Sequence, residues 1–313
     1  MEKVEKISVI MPTFNRACLI TRAINSLITQ TDPEWELLII DDGSTDHTHE
    51  VVSAYLKDRR IKYSYKKNGG VGSARNVGVE NAGEYLTFLD SDDEFLPDAI
   101  SQMRSDISLL KENIGLILYG RVRVSKTKIY KEDLPNDIKI NYEDFIEGKW
   151  PSIDTVQLCR KSIFEKQKFP IIPGGLESML WLSVLESGFI ALIRNYHATI
   201  YHTEHVDRLT GPGKQMLTRA EGMSALYDLF IKKFGRDYER LNPKRLSYFY
   251  IEKGVFEILS KKRTLGQNSL RIALKYNKSK LLIIFIIFAV SCMPHRNSAY
   301  LMRIGHSLKY LIK

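Results

Sequence analysis

The sequence predicts an α/β protein whose mostly parallel sheet is flanked by helices. Two observations carry this. Short apolar runs alternate with amphipathic helical stretches from residue 7 to about residue 110, and several of those runs stop on carboxylates or glycines. Strands alternating with helices form right-handed crossovers that lay successive strands parallel. Ligands then sit beyond the carboxyl ends of the strands, where these polar clusters fall.

Residues 7–11 form an apolar strand stopped by Pro12, and a polar loop through Thr13, Phe14, Asn15 and Arg16 follows. Leu19, Ile20, Ala23, Ile24, Leu27 and Ile28 recur at helical spacing, one apolar face of a helix. Asp32-Pro33 marks the next turn. Residues 36–40 make the second strand, which ends on Asp41-Asp42-Gly43-Ser44. A helix with Val51, Val52, Tyr55 and Leu56 inward leads to a third strand at 61–65. Residues 68–73 form a glycine-rich turn that opens a helix carrying Arg75 and Asn76.

The fourth strand, residues 85–89, stops on Asp90-Ser91-Asp92-Asp93. Three carboxylates within four residues repel one another unless compensated. One reading is a Mg²⁺ or Mn²⁺ ion clamping a diphosphate at the mouth of the sheet, since hard cations take carboxylate and phosphate oxygens. The other is a solvated acidic turn before a helix from Pro97 to about Leu110, with Pro97 in its first turn.

The second half is less regular. Residues 114–119 read as a strand, and 138–147 as loop and short helix. Pro170, Pro173, Gly174 and Gly175 form a stiff loop that delivers Leu176-Glu177 into a helix with Met179, Leu180, Leu182, Val184 and Leu185 as core. Residues 196–205 read as a strand with His202 and His205 at its exit. From about Gly211 the chain turns helical and basic, with Leu226, Leu229, Phe230 and Phe234 in one stripe. Residues 281–293 are almost wholly apolar. At ~1.5 Å per residue that helix is about 20 Å long, short of the ~30 Å hydrocarbon core. Lys275, Lys278 and Lys280 precede it. Leu301, Ile304, Leu308 and Leu311 then line one face of a basic helix. This pattern fits a segment lying in an anionic membrane interface, or a helical hairpin packed on the domain.

Across 313 residues, 44% are hydrophobic and 27% charged, an ordinary globular balance. A net charge of +9 suits nucleic acid, an anionic membrane or a phosphorylated substrate. No DNA- or RNA-binding motif accompanies it, so nucleic acid is not an expected partner. Cys18, Cys159 and Cys292 are sparse and lack metal spacing, which predicts a reducing compartment and core packing for each. The charged residues 1–6 run straight into a strand and do not read as a signal peptide.

Four segments stand in register: Ser8-Val9-Ile10-Met11-Pro12-Thr13-Phe14-Asn15-Arg16, Ile40-Asp41-Asp42-Gly43-Ser44-Thr45-Asp46, Gly72-Ser73-Ala74-Arg75-Asn76 and Leu89-Asp90-Ser91-Asp92-Asp93. Together they resemble the family 2 glycosyltransferases with the GT-A fold, in that family's order and spacing. The resemblance covers residues 7 to about 210. It implies a glycosyltransferase domain at 1–210, with a nucleotide-sugar half at 1–115 and an acceptor half at 116–210. Residues 211–313 would form a helical, basic, membrane-associated C-terminal region.

The resemblance also implies roles. Pro12, Thr13 and Asn15 would line the nucleotide pocket, with Arg16 nearby. Asp42, or Asp41, would hydrogen-bond the uracil ring, and Arg75 would sit near the nucleotide and its phosphates. Asp90 and Asp92 match the DXD motif: Asp90 lies near the ribose and sugar, Asp92 is the direct metal ligand and Asp93 an accessory acid. The family's usual base is an aspartate in a Glu-Asp pair before a helix. In register, that aspartate falls on Glu177 and its partner on Leu176, a departure that leaves Glu177 as base. His202 and His205 would touch metal or phosphate, or serve structure. The implied activity is inverting transfer from a UDP-sugar to a lipid-linked saccharide, at the cytoplasmic face of the plasma membrane.

Other classes fit less well. No Gly-x-Gly-x-x-Gly follows the first strand, which disfavours a nicotinamide oxidoreductase. A phosphatase with an aspartyl nucleophile would carry its carboxylates after the first strand. A nucleotidyltransferase would carry a glycine-rich basic loop there instead of Pro12-Thr13-Phe14-Asn15. A non-catalytic nucleotide-sugar-binding module would not need both Asp92 and Glu177.

Overall fold

The computed structural model describes residues 5–110, 113–125, 127–135, 137–150, 154–171, 177–203, 214–281 and 284. It divides into two units: Met1–Phe145, Lys149–Ile171 and Glu177–His205 in the first, and Ile146–Gly148, Ile172–Leu176 and Val206–Lys313 in the second.

The first unit is built on one sheet. Its strands are β1 (Ile7–Thr13), β2 (Trp35–Asp41), β3 (Ile61–Tyr65), β4 (Tyr85–Phe88), β5 (Glu94–Phe95), β6 (Ile114–Val124), β7 (Ile129–Lys131), β8 (Ile138–Ile140), β9 (Thr155–Arg160) and β10 (Ile190–His202). The order is β3-β2-β1-β4-β9-β6-β10-β5, with β7 on β6 and β8 on β10. β3, β2, β1 and β4 run parallel, as the alternation of strands and helices requires. β9 lies antiparallel between β4 and β6, and β6 runs parallel to β10. The helices are α1 (Ile20–Ile28), α2 (Thr48–Ser53), α3 (Val71–Asn81), α4 (Ala99–Asp106), α5 (Tyr142–Glu147) and α6 (Glu177–Glu186).

Both faces of the sheet are covered, which is why its strands read as unbroken apolar runs. Side chains alternate between the faces. Val9 and Met11 pack with Ile20, Ile24 and Leu27 of α1 and with Ile100 and Met103 of α4. Ile10, Leu86 and Phe88 pack with Ala74 and Val79 of α3 and with Leu180, Trp181 and Val184 of α6. The register sets Thr13 against Asp41, and Phe88 against Ile10. The polar ends of β1, β2 and β4 therefore come out along one edge.

Several local expectations change on folding. Residues 138–140, expected as loop, form β8 because β10 supplies an edge to pair with. β5, β7 and β9 carry too little alternation to be read locally, and pairing with neighbours creates them. Pro97 precedes the helix rather than opening it, since Asp98 is the residue at its N-cap. Ile28 and Leu56, expected inward, are each 40% exposed. Cys159 is buried as expected, whereas Cys18 is exposed; Cys292 lies outside the described residues.

The second unit is helical: α7 (Lys214–Leu241), α8 (Pro243–Leu259), α9 (Arg263–Tyr276) and a short 3₁₀ turn, Lys278–Lys280. Asn242 caps α8 through its side chain, with Pro243 in the first turn, where its missing N–H costs nothing. Leu226, Phe230 and Phe234 are buried with Tyr227, Tyr238 and Phe249. Leu229, expected on that stripe, is 44% exposed, one residue off the buried face. α8 and α9 meet at Gly254 and Gly266, where a Cβ on Gly266 would come within 2.6 Å of the Gly254 carbonyl oxygen. Among the described residues no helix is long and apolar enough to cross a membrane. Of the apolar run at 281–293 only Leu281, exposed, and Ile284, buried, are described; the basic helix at 301–311 lies outside the described residues.

The tightest contact between α3 and the sheet is at Gly78, where a Cβ would come within 2.3 Å of Ile10 Cγ2. Gly78→Ala should overpack this interface and cost about 1–3 kcal/mol in urea unfolding. Gly83→Ala, with only Ser8 Oγ at 3.4 Å, is the control and should stay within about 0.5 kcal/mol of wild type. Equal stabilities for the two variants would refute this packing.

Candidate active site

The loops after β1 and β2 are laced together by side chain to backbone hydrogen bonds. Asn15 N–H donates to Ser44 Oγ (2.8 Å), Thr45 N–H to Asn15 Oδ1 (2.8 Å) and Arg16 N–H to Thr48 Oγ1 (2.9 Å). Asn15 has φ 52°, a left-handed conformation that asparagine tolerates better than most residues. Ala17 N–H donates to Asp46 (3.1 Å). Pro12 and Thr13, expected to line a nucleotide pocket, are buried in β1, whereas Asn15 and Arg16 are partly exposed and Phe14 is exposed.

Both carboxylates after β2 face inward. Asp41 accepts from Ser44 N–H (2.7 Å) and Tyr63 Oη (2.6 Å). Asp42, 3% exposed, accepts from Gly69 N–H (2.9 Å), Gly70 N–H (2.7 Å) and Lys66 Nζ. Asp42 was expected on a uracil ring. Here it anchors the glycine-rich turn that starts α3, and Gly70 at φ +87° lets that turn bend onto it.

The three acids after β4 have different environments. Leu89 N–H donates to Ile10 O (3.1 Å), which brings Asp90 alongside the exit of β1. Asp90 keeps 36% side-chain exposure. Burial works against its ionisation, but Arg75, then Arg121 and Arg16, hold its pKa below the usual carboxylate value. Asp92 is partly exposed, and Arg22 donates to its main-chain carbonyl. Among the described residues no hydrogen bond or ion pair engages its carboxylate. Asp93, expected as an accessory metal acid, is 1% exposed with Oδ2 on Arg121 Nη1 (3.1 Å). Burial pushes its pKa up to about 8 against the pull of Arg121, helped by the charges of Asp90 and Asp92. It is enclosed rather than presented to a cation in solvent.

Arg75 ties α3 to both the end of β4 and the start of α6. Its guanidinium, 5% exposed, donates through Nη2 to Asp90 Oδ1 (2.8 Å) and through Nη1 to Glu177 Oε1. It was expected near phosphates, and its charge is instead shared by two carboxylates. Glu177 is the first residue of α6, where a carboxylate suits the helix dipole, and keeps 43% side-chain exposure. One turn later Trp181 packs edge-on against Phe88 (6.3 Å between centroids), with Phe164 and Phe169 completing an aromatic box. Phe88 lies two residues before Asp90, so this box carries Glu177 to the aspartates.

His202 pairs with Glu94, and Glu94 also pairs with Arg22 (3.3 Å). His205 and Leu176 lie outside the described residues. Sequence reasoning passed over Arg22, Lys66 and Arg121, the cations that serve these acids. Nothing local marks them, because their partners are 70, 24 and 28 residues away.

No three His, Cys, Asp or Glu side chains among the described residues converge as a metal cage. A cation clamping a diphosphate does not need one: Mg²⁺ is commonly held by one or two carboxylates plus substrate phosphates. The open Asp92 carboxylate next to Asp90 fits that donor set.

The family model described as glycosyl transferase family 2 matches residues 8–165. The chain is 35% identical over 189 residues to a GalNAc(5)-diNAcBac-PP-undecaprenol beta-1,3-glucosyltransferase of Campylobacter jejuni, covering 57% of this chain and 59% of that one. It is 32% identical over 191 residues to the UDP-Glc:alpha-D-GlcNAc-diphosphoundecaprenol beta-1,3-glucosyltransferase WfgD of Escherichia coli, covering 60% of this chain and 72% of that one. The crystal structure of Staphylococcus aureus TarS residues 1–349 with UDP-GlcNAc shares the fold at a TM-score of 0.58 and 18% identity, over 88% of this chain and 92% of that one. The chain spans between 26% and 38% of the length of several longer curated relatives. With four motifs on one edge of a GT-A-like α/β sheet and a family match across half its length, the chain belongs to glycosyl transferase family 2.

Proposed function

We propose that this chain is an inverting glycosyltransferase that moves a sugar from a UDP-sugar to a saccharide carried on a polyprenyl diphosphate, in O-antigen or capsule-type polysaccharide assembly. One observation carries the reading: Arg75 holds Glu177 beside Asp90, so a candidate base and the first DXD acid share one partner. The relatives' names supply the class of donor and acceptor. Their beta linkages also fit inversion from an α-linked UDP-sugar.

In this reading Asn15 and Arg16 line the nucleotide side on a floor made by Pro12 and Thr13. Asp42 shapes that pocket by fixing the glycine-rich turn. Asp92, with Asp90, would hold Mn²⁺ or Mg²⁺ at the donor diphosphate. Bound there, the ion neutralises the charge that grows on the leaving group. Arg75 orients Asp90 and Glu177, and Asp93 braces Arg121. Glu177 accepts the proton of the attacking acceptor hydroxyl. Lys275, Lys278 and Lys280, with the apolar run that follows, hold the protein at the cytoplasmic face of the membrane.

Three tests follow, with UDP-glucose and UDP-GlcNAc as donors and undecaprenyl-diphosphate-linked GlcNAc as acceptor. Asp92→Ala should abolish transfer and the Mn²⁺-dependent part of UDP binding; near-normal activity, or a wild type indifferent to EDTA, would end the metal role. Glu177→Gln should keep UDP and Mn²⁺ binding while losing about 10²–10⁴-fold in turnover, the usual scale of general-base catalysis. A fully active Glu177→Gln enzyme, or an α-linked product from an α-linked donor, would remove Glu177 from the mechanism. Full-length protein should sediment with phosphatidylglycerol vesicles at low salt and less at high salt. Protein that stays in the supernatant with those vesicles would exclude the interfacial tail.

A further inference from the structure

We infer that Asn76 is a positioning residue for glycosyl transfer, acting through the main chain of Phe169, whose ring packs on the α6 residue one turn after Glu177. The inference rests on the assignment of Glu177 as base.

Asn76 lies inside α3, where asparagine is a poor helix former and does not act as a cap. Its amide is committed to a single distant residue. Nδ2 donates to Phe169 O (3.0 Å), and Oδ1 accepts from Phe169 N–H (2.9 Å). This reciprocal pair imitates the partner that a strand would offer. Phe169 is 3% exposed, so without Asn76 both its peptide groups would be buried and unsatisfied. Only a primary amide both donates and accepts in this way: aspartate cannot donate, and leucine can do neither.

Three further contacts show what this clamp fixes. One turn earlier on α3, Gly72 lies so close to the next peptide that a Cβ would meet Pro170 O at 2.3 Å. The Phe169 ring sits 5.2 Å from Phe88, the strand residue that leads to Asp90. It also sits 5.8 Å from Trp181, the α6 residue one turn after Glu177. Next to Asn76, Arg75 packs over Phe169 (5.5 Å) and holds the Glu177 carboxylate. α3 therefore holds Phe169 by its backbone through Asn76 and Glu177 by its acid through Arg75. Small displacements of a reacting group cost rate out of proportion to stability, so loss of the backbone grip should appear in turnover.

The test uses full-length Asn76→Asp and Asn76→Leu, each also combined with Glu177→Gln. Turnover is followed as UDP release from UDP-glucose or UDP-GlcNAc with Mn²⁺ and undecaprenyl-diphosphate-linked GlcNAc. Active protein is counted by the stoichiometry of UDP binding. Both single variants should bind UDP within about 2-fold of wild type and lose about 10–100-fold in kcat, the scale seen when groups orienting a functional residue are removed. In the Glu177→Gln background the same changes should cost little more, because the groups act as a unit. If Glu177→Gln is impaired while the Asn76 variants keep kcat, or if the losses simply add, the positioning role is overturned and Glu177 stands. If Glu177→Gln is fully active, or no probe is turned over by wild type, the underlying reading falls and the inference with it. Should Asn76→Leu lose UDP binding by misfolding, Asn76→Asp, which keeps one of the two bonds, decides the matter. Loss of UDP binding in both makes Asn76 a requirement of the fold and overturns the proposal.

Discussion

The site depends on the compensation of one buried charge. Arg75 is almost fully removed from water, and a guanidinium there is tolerable only when paired. Burial lowers the affinity of Arg75 for its proton, but Glu177 and then Asp90 more than offset that effect, and its pKa is raised. Neither carboxylate gives up all its solvent, so each can still meet a ligand. One planar fork spans both acids, which a lysine could not do. Phe88 and Phe169 flank it at 5.8 and 5.5 Å, a cation–π environment that keeps the guanidinium from turning.

α3 is the spine that places this charge. Its start is fixed by Asp42 through Gly69 and Gly70, its middle by Gly78 against Ile10, and another flank by Asn76 and Gly72 against residues 169–170. The chain of constraint thus runs from the acids after β2, through the glycine-rich turn, to the helix that carries Glu177. Motifs that look independent along the chain are parts of one mechanical unit. A second set of contacts holds the DXD loop itself, with Arg22 on the Asp92 carbonyl and Arg121 on Asp93.

The first half of the fold was legible because its information is local. β1, β2 and β4 are apolar runs buried on both faces, and α1 shows its buried stripe in a span of nine residues. β5 in the first half and much of the second half were not, because β5, β8 and β9 owe their conformation to partners far along the chain. β9 contains Gln157 in the middle of a buried run, and no periodicity marks it as the antiparallel strand that joins β4 to β6. Ile28, Leu56 and Leu229 were misjudged for a related reason. An apolar stripe shows that a helix has a buried face, but the neighbour's shape decides where that face ends.

The sequence by itself determined that polar clusters end the strands, that Asp90 and Asp92 stand two residues apart at one of those ends, and that Arg75 follows a glycine-rich turn. These are properties of spacing, and spacing survives in a linear chain. Only the tertiary structure decided what each charge does. It left the Asp92 carboxylate open and enclosed Asp93 against Arg121; it turned Asp42 inward onto the glycine-rich turn and set Arg75 between acids 15 and 102 residues away. The physical reason is that burial and pairing are fixed by distance in space. Four carboxylates that look alike in sequence end up differently, one left open, one enclosed against Arg121, one bonded to the glycine-rich turn and one held by Arg75, according to which cation or peptide the fold brings to each.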